Sequence, residues 1–112
     1  MCQCIKLDQQ TRQALAPFKY LKIEQYADNG ATCVILSPDD DLSQLTLQDV
    51  VISTNLYQYT PLPADRFYGD VNNEPKLLDI LCQHHYCART GGHDISGFVD
   101  YPIMQLIPQN KK

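Results

Sequence analysis

Two apolar runs separated by Asp28-Asn29-Gly30 constrain this chain more than anything else in it. The first run, Phe18 to Tyr26 (FKYLKIEQY), is rich in aromatic and β-branched residues. The second, Ala31 to Leu36 (ATCVIL), is nearly continuous in apolar character. Asn and Gly both tolerate positive φ, which a tight chain reversal demands, so Asn-Gly between strand-like runs predicts a β-hairpin. A fold with an antiparallel sheet follows from this one feature.

Around the hairpin the pattern is mixed. Cys2 to Leu7 alternates and reads as a short first strand. Asp8 suits the N-cap of a short helix from Gln9 to Leu15, which Pro17 ends. Ser37 to Asp41 is a polar loop, and Leu42 to Asp49 fits helix or strand equally. Val50 to Tyr59 reads as a strand, and Thr60 to Asn73, with two prolines and a glycine, as irregular chain. A helix is expected from about residue 74 to 89, capped by Asn73 with Glu74-Pro75 in its first turn. Thr90-Gly91-Gly92 is its stop signal. Phe98 to Ile107 reads as a final strand in which Pro102 requires an edge position or a bulge.

The expected class is therefore α+β: an antiparallel or mixed sheet of four to five strands, one main helix and one short N-terminal helix. The order of elements also admits a ferredoxin-like layout with an insertion before the main helix. The chain has 112 residues, the size of one domain, and no repeat or linker divides it. Hydrophobic residues make up 44%, enough to build a core rather than remain disordered.

Composition also narrows function. The net charge is −4 and no segment concentrates Lys or Arg, which argues against a nucleic-acid partner, whose phosphates need a basic patch. No apolar run approaches the roughly 18–20 residues of a membrane-spanning helix. The N-terminus lacks a basic segment followed by an apolar one, so a cytoplasmic protein is expected. The five cysteines, an odd count with no secretory signal, argue against a disulfide framework.

The chemically loaded stretch is Cys82, His84, His85 and Cys87. On an unbroken helix Cys82 and Cys87 lie about 140° apart, too far round to share a metal. Cys82 and His85, one turn apart, form a half-site. Cys2 and Cys4, on one side of a strand, would complete a Cys₃His zinc site. A cysteine nucleophile is the enzymatic reading. It is weakened by the position of Cys82 and Cys87 near a helix C-terminus, where the dipole disfavours a thiolate. Asp39-Asp40-Asp41 lacks the alternation of a calcium loop.

Tyr57, Tyr59, Arg66, Phe67 and Tyr68 lie along a proline-containing stretch. Tyr and Arg dominate binding hot spots because they offer large area and polar tips. With no catalytic motif in sight, the leading expectation is a small acidic partner-binding protein. It would be of the inhibitor or immunity type and act by occlusion through these five residues, with Asp39 to Asp41 assisting and a basic protein as partner. A zinc-binding domain is the alternative and a small thiol enzyme the third reading. Homo-oligomerisation is left open.

Overall fold

A computed structural model describes residues 3–38 and 49–109. Eight strands and two helices follow one another as β1 (Gln3–Lys6), α1 (Gln9–Ala14), β2 (Tyr20–Gln25), β3 (Thr32–Ser37), β4 (Val50–Val51), β5 (Ser53–Thr54), β6 (Arg66–Gly69), α2 (Pro75–Gln83), β7 (Cys87–Ser96) and β8 (Val99–Leu106). The class is α+β, as expected. The strands form two four-stranded antiparallel sheets, ordered β1-β2-β3-β4 and β5-β6-β8-β7. A single sheet of four to five strands was expected, and the observed order does not confirm a ferredoxin-like layout.

The hairpin read from Asn-Gly is present. Gln25 pairs with Thr32 and Tyr20 with Ser37. Gly30 takes φ +72° and Asn29 Oδ1 accepts the Ala31 amide at 3.0 Å, so the turn residues act locally. Every residue of β3 is buried. Burial on both faces is why ATCVIL reads as a continuous apolar run instead of an alternating one.

Ile52 joins the sheets through its backbone. Ile52, fully buried, separates β4 from β5. Its amide donates to Val34 O in the first sheet, and its carbonyl accepts from Asp70 N in the second, both at 2.9 Å. The reading of Val50 to Tyr59 as one strand thus becomes a strand that changes sheets at its third residue. The core lies between the sheets and α2: Leu21, Val34, Leu36, Ile52, Phe67, Leu78, Leu81, Tyr86 and Met104 share it. Among the described residues no buried side-chain nitrogen or oxygen lacks a hydrogen bond.

The main helix is shorter than its apolar period suggests. It ends at Gln83, and His85 turns left-handed with φ +66°. The amide of His85 donates to Cys82 O at 3.1 Å, and that of Tyr86 donates to Leu81 O at 3.0 Å. This pair of bonds is a Schellman termination, with Tyr86 packed in the same core as Leu81. Its C′ position, ordinarily glycine, is here a histidine. The glycines expected to end the helix sit instead inside β7, within an irregularity between Arg89 and His93. The bulge required by Pro102 falls there, on the partner strand, because Pro102 pairs with His93. Asn73 does not cap α2. Glu74 is the N-cap and makes no side-chain bond, whereas Asn73 turns back to Asp70. On its inner face Leu78 and Leu81 are buried, and Cys82 packs partly against the core.

Candidate functional site

The site is built where β7 and β8 outrun their sheet. The β6 strand pairs only with Ile103, Met104 and Gln105 of β8. Beyond that point Val99 to Pro102 pair with β7 alone, so the hairpin continues as a two-stranded arm. Ser96 and Val99 close it around Gly97-Phe98. Gly97 has φ +64° and Phe98 does not share that sign, the pattern of a type II′ turn with glycine at its first central position. This turn places Phe98 at the tip with relative exposure 108%.

A loop, residues 55–65, braces the arm. Tyr59 donates its hydroxyl to Ile95 O at 2.7 Å, and Gln58 Nε2 donates to Ser96 Oγ at 3.0 Å. The same loop holds the turn of the first hairpin. Tyr57 donates to Asp28 Oδ2 at 3.1 Å, and the Asn55 and Asn29 side-chain amides exchange bonds at 3.1 and 3.2 Å. Thr32 Oγ1 donates to Ala64 O at 2.8 Å near its far end. The loop is therefore a strap from the turn of one sheet to the arm of the other. Of the four large hydrophobic side chains exposed among the described residues, three lie on the strap or the arm: Tyr57 at 65%, Ile95 at 56% and Phe98.

The five binding residues expected from the sequence divide. Tyr57 is exposed and Tyr59 half-buried on the strap. Phe67 is in the core. Tyr68 is buried beneath Tyr59, their ring centroids 6.3 Å apart, and donates to Asp94 Oδ2 at 2.6 Å. Burial, and secondarily the Asp94 carboxylate, push its phenol well above the ordinary tyrosine range. Arg66 is exposed at the start of β6, on the opposite side of the strand from Phe67. The crevice it lines with Tyr68 and Leu62 holds about 10 Å³, room for roughly one water. Phe98 and Ile95 were missed because their exposure depends on how far β6 runs along β8, and no local sequence signal records that length.

The arm carries charge as well. His93 Nδ1 lies 2.7 Å from Asp100 Oδ1 across the hairpin, in an open groove with Arg89 and Gly92. His93 and Asp94, adjacent in sequence, face different partners, Asp100 and Tyr68.

The cysteines are arranged otherwise than expected. The helix terminus folds Cys87 back, and Cys82 Sγ lies 3.7 Å from Cys87 Sγ. Their predicted separation around an intact helix does not apply, because Cys87 begins β7. Burial, followed by the neighbouring Cys82, raises the Cys87 thiol far above its ordinary range. Burial likewise raises Cys33, which is hydrogen-bonded with Tyr26 and Ser53. Neither is poised as a thiolate nucleophile toward a substrate in solution. Of the expected zinc ligands, Cys4 lies on β1, Cys82 lies in the last turn of α2 and His85 is exposed at the left-handed turn. Cys2 and Asp39 to Asp41 lie outside the described residues. Among the described residues no three of His, Cys, Asp and Glu are placed to share a metal ion.

No helix among the described residues is long and apolar enough to cross a membrane. No family model, curated protein or solved structure matches this chain.

Proposed function

We propose that the chain is a partner-binding protein, of the inhibitor or immunity type, that acts by occlusion through the β7–β8 arm. The observation that carries this reading is Phe98, wholly exposed at the tip of a hairpin held from the side by Tyr59 and Gln58. A phenylalanine in water contributes nothing to its own fold. Transferred into a partner's cleft it gains on the order of 2 kcal/mol. Ordering costs little at binding, because the strap already holds the arm. Tyr57 and Ile95 supply further apolar area. Asp28, Asp94 and Asp100 give this end acidic groups that suit a partner with basic residues around an apolar cleft. Tyr59 flanks this surface and Tyr68 supports it from beneath, whereas Arg66 lies at the other end of β6, opposite Gln105, and Phe67 faces the core.

The test compares the immobilised chain with Phe98→Asp, Tyr57→Asp and, as a control on the exposed face of α1, Gln13→Asp. All three are expected to keep the thermal midpoint of the parent. A protein captured from host extract by the parent and by Gln13→Asp should then be purified and titrated. Its affinity should fall about tenfold or more with Phe98→Asp or Tyr57→Asp. Equal affinity for all four chains rejects the arm as the binding surface.

A further inference from the structure

We infer that Cys82 and Cys87 are a dithiol modification site that closes reversibly to an intramolecular disulfide. Their sulfurs are 3.7 Å apart. A disulfide is about 2.05 Å long, so closure requires each sulfur to move by less than about 1 Å. That proximity is built by the fold: the Schellman bonds of His85 and Tyr86 reverse the chain and set the first residue of β7 against the last turn of α2. The two thiols also differ in access. Cys82 is half-buried, and Cys87 is 2% exposed in the core. One can meet a reagent from solution, and the other can be reached only from within.

The chemistry balances with a low-molecular-weight disulfide such as oxidised glutathione as the oxidant. The Cys82 thiol loses its proton, and its thiolate attacks one sulfur of the reagent. The reagent's S–S bond breaks, the first glutathione leaves as thiolate and takes up a proton, and Cys82 carries the second. Cys87 then loses its proton and attacks Cys82 Sγ, expelling the second glutathione. Two protein thiols are oxidised to one disulfide and one reagent disulfide is reduced to two thiols. Reduced glutathione in excess reverses both steps. The ring closed spans six residues across the α2–β7 junction.

The full folded chain is incubated with oxidised glutathione at neutral pH, quenched in acid, alkylated with iodoacetamide in urea at mildly alkaline pH and digested with trypsin. No Lys or Arg separates the two cysteines, so peptide 77–89 carries both. From the folded parent it should appear two hydrogens lighter and without alkylation. Cys87→Ser should instead accumulate peptide 77–89 with glutathione retained on Cys82. Cys82→Ser, which alters only a half-buried side chain, should leave Cys87 unmodified while folded. Two alkylated cysteines in the folded parent's peptide, or a stable glutathione adduct there, overturns the inference.

Discussion

At the scale of single residues, Asp8 does more than start a helix. Its Oδ1 accepts the Thr11 amide at 2.8 Å and the Thr11 hydroxyl at 2.9 Å. Its amide donates to the Tyr86 hydroxyl at 2.8 Å, and that hydroxyl donates to Oδ2 at 3.1 Å. One carboxylate thus caps α1 and ties it to the residue just beyond α2, a contact 78 positions away in sequence. The Thr11 amide, ahead of the other causes, holds the Asp8 carboxyl below the ordinary aspartate value. The sign of the pH dependence follows. A carboxyl whose folded pKa is depressed stabilises the fold fully above its unfolded value of about 3.9, and loses that contribution as the pH falls through the lower folded value. Asp8→Ala should therefore cost about 1–2 kcal/mol at pH 7, the usual range for a lost N-cap. Urea titrations repeated at acid pH should show the difference between the two proteins shrinking. A penalty that stays constant into acid would assign the loss to packing rather than to the charged cap. The cap itself was legible, since Asp before a polar helical run is a local signal. Its bond to Tyr86 was not, because nothing local relates positions 8 and 86.

Among the elements, the ends carry the lesson. The first hairpin, α1 and β8 were legible because each is declared by neighbouring residues: Asn-Gly, Asp8, and a β-branched and aromatic run. The helical period through Leu77, Leu78, Ile80 and Leu81 was equally local. Where it stopped was not, because the termination uses His85 in a left-handed conformation without glycine. Gly91-Gly92, eight residues beyond the true end, offered a stronger signal for the wrong role, and the first three residues of β7 were absorbed into the helix. That misplacement also hid the contact of Cys82 with Cys87. A left-handed backbone costs a residue with a Cβ about 1–2 kcal/mol that glycine avoids, against the greater freedom glycine regains on unfolding. His85→Gly should then stabilise the chain by about 0.5–1 kcal/mol, and His85→Val should destabilise it. The bond from Gln109 Nε2 to the His85 carbonyl survives either change, because it uses backbone. Denaturation midpoints that moved the other way for glycine would mean the imidazole itself holds the turn.

For the molecule as a whole, the relation between the two sheets matters most for the proposed function. Ile52 joins them through the backbone in the interior, and the strap joins them through side chains at the surface. The two links differ in kind. Ile52 is fully buried and cannot open without the core, whereas the strap's bonds to the arm are exposed and open locally. The aromatic character of the strap was visible in the sequence. The arm that it braces was not, because an arm exists only where a neighbouring strand stops short. Tyr59→Phe isolates this link: it keeps the ring against Tyr68 and removes only the hydroxyl that reaches Ile95 O. Water replaces an exposed partner, so global stability should change by less than about 0.5 kcal/mol. Local opening of the arm should become easier by about 0.5–1 kcal/mol, a two- to fivefold faster hydrogen exchange at amides 94–99. Amides of β3, buried on both faces, should exchange as in the parent. Equal acceleration in β3 and in the arm would show that strap and core open as one unit. The arm would then not be an independently braced projection, and Phe98 would be presented to a partner only by a molecule whose two sheets move together.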